Sequence, residues 1–124
     1  MLFVYGTLQF PEVLHALLGR VPPMTPAVLR GWRAAVLPGR PYPGLVPAPG
    51  KEVPGWVLAD LDAHEWTILD AFEGDAYDRI TVTLAGGRTA TTYRWRDPAD
   101  VSATDWDPNT FAERTLAAYV NRLR

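Results

Sequence analysis

The chain opens MLFVYGTLQFPEV, and the run from Met1 to Tyr5 is apolar at every position. A strand without polar alternation has no face to give to water, so both of its faces must be covered. That places Met1–Tyr5 in the middle of a sheet, and the rest of the fold has to be built around it. The run is broken by Gly6, Thr7 and Leu8, with Pro11 close behind. Two readings fit this break. Gly6 can serve only the geometry of a strand-to-helix turn, or the amides freed by the turn can point into one concavity and hold an oxygen of a ligand.

Downstream, PEVLHALL (11–18) puts Val13, Leu14, Leu17 and Leu18 on one helical face between Pro11 and the stop at Gly19. Ala27–Leu37 and Val53–Leu58 read as strands, the first interrupted at Gly31, where a bulge is expected. RPYPGLVPAPGKEVPG between them is read as an ordered, stiff loop. DAHEWTILDAFEG is the clearest helix: Asp62 and Glu65 have capping-box spacing, Trp66, Leu69 and Phe72 share a face, and Gly74 terminates it. Arg79–Leu84 and Arg88–Trp95 form a hairpin around Gly86-Gly87, with Ile80, Val82 and Leu84 on the buried face. An Asp-rich loop, 97–107, then leads into a last helix capped by Asp107 and opened by Pro108, with Arg114, Arg122 and Arg124 suiting its negative end.

The 124 residues are expected to form a single domain, 1–124, with a core that needs no metal or disulfide. Strands dominate without regular β-α-β alternation, which predicts an α+β fold around a mostly antiparallel or barrel-like sheet. A net charge of -2, with Lys51 the sole lysine and the arginines scattered, gives no footprint for nucleic acid. No apolar window has the length of a membrane span, and Met1 runs into LFVY without the charged start of a signal peptide, so a soluble, cytoplasmic protein is expected.

Elimination narrows the chemistry. The absence of cysteine excludes thiolate catalysis and Cys-ligated zinc. Ser102, the one serine, has no G-x-S-x-G setting, and His15 and His64 have no second histidine at helical spacing. Asp105-x-Asp107-x-Asn109 starts like a calcium loop but lacks Gly at the sixth position and has Leu116 in place of the bidentate Glu. Among the carboxylates, Glu73 is differently placed. It follows Phe72 in the last helical turn, facing the negative end of the dipole, with Asp70 and Asp75 nearby. Desolvation there would raise its pKa into the range of a proton relay at neutral pH. The residues alone leave a plain solvent-exposed glutamate as the slightly simpler reading.

Taken together, FVYGTL (3–8), RGW (30–32), YPGLVP (42–47), VPGWVLADL (53–61), LDAFEGDAYDRITV (69–82) and TTYRW (91–95) resemble the gamma-glutamylcyclotransferase-like family, which includes gamma-glutamylamine cyclotransferases and plant avirulence-induced proteins. The resemblance implies a small, mixed β-barrel flanked by helices, with the YGTL loop and the FEG glutamate meeting at one cavity. It implies that Tyr5, Gly6, Thr7 and Leu8 bind the gamma-glutamyl part of a small-molecule substrate, that Glu73 is the catalytic acid-base, and that Tyr93 contacts substrate. The implied reaction is cyclisation of a gamma-glutamyl amine or peptide to 5-oxoproline, a lyase- or transferase-type reaction that requires no metal and no organic cofactor. The alternative is a non-catalytic small-metabolite-binding protein of the same fold. Trp56, Trp95, Tyr42 and Tyr77 are read as core or barrel-rim residues, with lining of a leaving-group site as the second reading. The Asp-rich loop and the last helix fall outside the matching segments.

Overall fold

In the computed structural model, which describes residues 1–124, the first strand is Leu2–Val4 (β1), and all three of its residues are buried. Its side chains alternate between two cores. Leu2 and Val4 join a cluster with Val13, Leu14, Leu69 and Phe111 under the helices, whereas Phe3 and Tyr5 pack with Leu29, Val53, Val57 and Leu84 inside the curl of the sheet. Complete burial of a side chain such as Phe3 contributes roughly 1.5–3 kcal/mol.

The remaining strands are Met24–Val36 (β2), Pro43–Leu58 (β3), Tyr77–Thr83 (β4) and Thr89–Trp95 (β5). They form one sheet in the order β2-β3-β1-β5-β4. β1 runs antiparallel to β3 and parallel to β5; the other pairings are antiparallel. The β1–β5 ladder is short, and Thr92 reinforces it by donating its hydroxyl to the Phe3 carbonyl at 2.9 Å. The α+β expectation therefore holds, but the barrel does not close. β2 and β4 remain edges, joined only where the Ala85 amide in the hairpin turn donates to the Val28 carbonyl at 2.8 Å.

The proline-rich segment read as a loop is strand for most of its length. β3 pairs with β2 from Val36↔Pro43 to Met24↔Leu58. Apart from residues 56–58, which also pair with β1, its main-chain ladder is with β2, so a proline nitrogen can face away from a partner. The loop-like composition survives locally: between the pairs Arg30↔Glu52 and Trp32↔Pro47, residues 48–51 stand opposite Gly31 alone. Gly31 takes φ 85° there, in the left-handed region, and the expected bulge is real.

The helices are Pro11–Leu18 (α1), Ala63–Glu73 (α2), Pro108–Arg114 (α3) and Leu116–Leu123 (α4). Both halves of the predicted capping box on α2 form: Glu65 N donates to Asp62 at 2.7 Å and Asp62 N to Glu65 at 3.1 Å. Buried Glu65 is further held by both nitrogens of an Arg20 fork, at 2.7 and 2.8 Å. The single last helix expected from sequence is two, separated at Thr115, whose φ −127° breaks the helical path. No helix is long and apolar enough to cross a membrane.

Gly55 fixes the distance between β3 and β1. A Cβ at this position would stand 2.3 Å from the Val4 carbonyl oxygen and 2.8 Å from the Phe3 ring. Gly55→Ala is therefore expected to destabilise the protein by about 3 kcal/mol or more, read from urea denaturation.

Candidate functional site

Where β1 ends, Gly6 turns the chain into a short 3-10 turn, Thr7–Gln9. Gly6 passes so close to Pro43 that a Cβ would lie 3.0 Å from its ring. The turn is closed by Gln9 N donating to the Gly6 carbonyl at 3.1 Å, and the Gln9 side chain donates to the Tyr5 carbonyl at 2.5 Å. None of the turn and loop hydrogen bonds is donated by the amides of Gly6, Thr7 or Leu8. These donors are the unpaired first amides of a helical turn.

The turn forms one wall of a cavity of about 200 Å³. Tyr5, Gly6, Thr7 and Leu8 line it, Tyr42 comes from just before β3 and Pro43 from its first position, and Phe72 and Glu73 from the end of α2. Tyr77, Tyr93 and Tyr119 complete it from β4, β5 and α4, with Phe3 and Val4 at the base. The chain contains five tyrosines, and all of them line this cavity. No arginine, lysine or histidine does.

Glu73 is the last residue of α2, before the break at Gly74, whose amide returns to the Asp70 carbonyl at 3.0 Å. Phe72 beside it packs edge-on to Tyr119, with ring centroids 6.5 Å apart. Burial among these rings raises the Glu73 carboxyl to about 8, and desolvation is the whole cause. The repulsion expected from Asp70 and Asp75 plays no part in the shift, and Asp70 is engaged elsewhere. It accepts from Tyr93 at 2.7 Å and from Arg79 at 3.0 Å, and the Arg79 guanidinium also lies over the Trp66 ring.

The tyrosine hydroxyls are mostly committed. Tyr5 donates to the Tyr93 carbonyl at 2.6 Å, and Tyr77 donates to the Pro43 carbonyl at 2.7 Å. Burial pushes the Tyr5, Tyr77 and Tyr93 phenols well above their usual range, and the nearby Glu73 charge adds to each. They are neutral donors at any working pH.

Every site residue expected from sequence thus lines one cavity: Glu73, the 5–8 turn and Tyr93. Of the four aromatics read as rim or core, Tyr42 and Tyr77 line the cavity, whereas Trp95 is buried behind Tyr77 and Trp56 lies at the surface, 36% exposed and away from the cavity. Sequence reasoning missed Tyr119, since nothing in LAAYVNRL distinguishes a cavity tyrosine from one on a core-facing helix stripe.

The family model for "Gamma-glutamyl cyclotransferase, AIG2-like" matches residues 2–108. The chain belongs to this family. AIG2-like protein C of Arabidopsis thaliana is 41% identical over 112 residues, covering 86% of this chain and 65% of the relative. AIG2-like protein A of the same plant is 39% identical over 103 residues, covering 79% and 62%. The chain spans just under two thirds of the length of these curated relatives. The solution structure of another Arabidopsis thaliana protein superimposes with a TM-score of 0.72 at 32% identity, covering 98% of this chain and 85% of that one. A solved gamma-glutamyl cyclotransferase shares the fold at 16% identity, with a TM-score of 0.56 over 98% of this chain and 84% of its own.

The desolvated carboxyl of half-buried Glu73 carries a stability cost with a defined sign. The unfolded glutamate ionises near 4.5 and the folded one near 8, so between these values the folded protein holds a proton that the unfolded chain has released. Stability must fall as pH rises through that window. Glu73→Gln, neutral and of the same shape, is expected to remove this slope and to stabilise the protein at pH 8 by roughly 4 kcal/mol. Urea denaturation of both proteins between pH 4 and pH 9, in steps of about one unit, measures the difference.

Proposed function

We propose that the protein is a gamma-glutamyl cyclotransferase that closes a gamma-glutamyl amine or peptide to 5-oxoproline and releases the amine, with Glu73 as the proton relay. The observation that carries this reading is a carboxyl raised to about 8 across a small cavity from three unengaged backbone amides.

The substrate brings its own nucleophile. Its α-amino nitrogen bonds to the γ-carbonyl carbon, closing a five-membered ring, and the bond from that carbon to the leaving nitrogen breaks. Because the attack is intramolecular, the protein must fold the chain and shield it but need not supply a nucleophile. This suits a site lined by tyrosine, phenylalanine and proline, with Thr7 as its single aliphatic hydroxyl. The amides of Gly6, Thr7 and Leu8 supply fixed dipoles for the carbonyl oxygen as it gains charge. The α-nitrogen gives up two protons, one to become nucleophilic and one on becoming the lactam N–H. One passes to the departing nitrogen so that it leaves as an amine, and the other goes to solvent, from which the released amine takes up its own. Glu73 accepts the relayed proton as a carboxylate and donates it as an acid, and a pKa near the working pH favours both steps.

Two outcomes follow. Purified protein given a panel of gamma-glutamyl amines and dipeptides is expected to form 5-oxoproline, detected by mass spectrometry, and Glu73→Gln to lower the rate by roughly two to four orders of magnitude. The acid limb of the kcat/KM profile is expected to titrate near 8, falling about tenfold per pH unit below it, because the free enzyme must present Glu73 ionised. Product at equal rates from both proteins would remove Glu73 from the mechanism. Ligand binding without product, equal in wild type and Glu73→Gln, would instead identify a metabolite-binding protein.

A further inference from the structure

The cavity poses a problem for a gamma-glutamyl substrate. Such a substrate carries an α-carboxylate, and no cationic side chain lines the cavity to receive it. The charge must be met by neutral donors, and with the amides of Gly6, Thr7 and Leu8 given to the γ-carbonyl oxygen, the inventory that remains is the hydroxyls of the wall. Each tyrosine hydroxyl has one proton to give. Tyr5 gives its proton to the Tyr93 carbonyl, Tyr77 to the Pro43 carbonyl and Tyr93 to Asp70, at 2.6–2.7 Å. Those three hydroxyls are spent on the protein.

Two remain. The Tyr42 hydroxyl donates to no group of the protein, and that of Tyr119 reaches only the Thr7 hydroxyl, at 3.4 Å. That distance is well beyond the roughly 2.7–2.8 Å usual for O–H···O and leaves the proton free for a better acceptor. Tyr119 is nevertheless fixed. It is buried at 8% exposure, edge-on to Phe111 with centroids 5.4 Å apart and to Phe72 at 6.5 Å. The charge of Glu73 and the phenol of Tyr42 both act on it across the cavity. In an amino acid the carboxylate and the ammonium share one carbon, so donors for the first belong within a few Å of the carboxyl that serves the second.

We propose that Tyr119 and Tyr42 are substrate-binding residues whose free hydroxyls, with Thr7, hold the α-carboxylate of the gamma-glutamyl group. This rests on the cyclotransferase reading for the identity of the substrate. It gives the C-terminal helix a place in the site, although α4 lies beyond the residues that match the family model, 2–108.

The test compares two ligands in wild type, Tyr119→Phe, Tyr42→Phe and the double variant. 5-Oxoproline carries the carboxylate, and γ-butyrolactam is the same ring without it. Binding is followed by NMR titration, with the amide spectrum also reporting that each variant is folded. The phenylalanine variants retain the rings and lose only the hydroxyls. Each is expected to weaken 5-oxoproline about tenfold, as loss of a hydrogen bond to a charged group requires, and to change γ-butyrolactam less than about twofold. With a gamma-glutamyl alkylamide as substrate, KM should rise by a similar factor while kcat changes little. Equal affinity of 5-oxoproline in wild type and double variant overturns the assignment, as does equal weakening of both ligands. No 5-oxoproline binding to wild type at millimolar concentration also overturns it. Absence of turnover together with the expected binding pattern would count against the cyclotransferase reading and leave the carboxylate site standing.

Discussion

The structure depends on a strand of three residues that is buried on both faces. Because β1 gives Leu2 and Val4 to one core and Phe3, followed by Tyr5 just beyond its end, to the other, it is shared by both cores. It also sets where the site lies. The apolar run stops at Gly6, pressed against Pro43, so the first unpaired amides of the chain emerge at the boundary between the two cores. Helix α2 ends at the same boundary because Leu69 and Phe72 must pack against the first core, which leaves Glu73 as the next residue, at the cavity wall. The meeting of turn and carboxyl is thus a consequence of how the cores are filled.

The electrostatics of the cavity follow from its composition. A carboxyl among aromatic rings with no arginine or lysine beside it cannot be held ionised, and its pKa rises through desolvation alone. The surrounding charges are neutralised before they reach it: Asp70 by Arg79, Glu65 by Arg20, and Asp78 by Arg94 and Arg96. Five phenols then provide polarity without charge. Three of them are fixed by hydrogen bonds to the fold, a rigid arrangement suited to steering a small flexible molecule into one conformation.

Much of this was legible in the sequence, for physical reasons that can be named. The central strand, the capping box of α2, the bulge at Gly31 and the hairpin at Gly86-Gly87 each follow from a local rule, and each stands in the structure. The residues expected at the site come together because the motifs carrying them sit at element ends. Three features escaped because they are decided by partners distant in sequence. Pro43–Leu58 looks like a loop from its prolines, but pairing with β2 supplies the ladder that composition argues against. Closure of the sheet depends on whether its edge strands meet, and residues 28 and 85 make one contact where a barrel needs a ladder. Tyr119 lines the cavity from α4, and nothing in the sequence around Thr115 announces that this helix is separate from α3.

The central claim is that the fold creates a single uncompensated, protonated carboxyl at neutral pH, and it can be observed without any substrate. Protein labelled with carbon-13 at the glutamate side-chain carboxyls, titrated by NMR against Glu73→Gln for assignment, reports the ionisation of Glu73 directly. A midpoint near 8, well apart from every other glutamate, is the result expected here. A midpoint near 4.5, together with the others, would mean that water reaches the carboxyl freely and that the site lacks its proton relay.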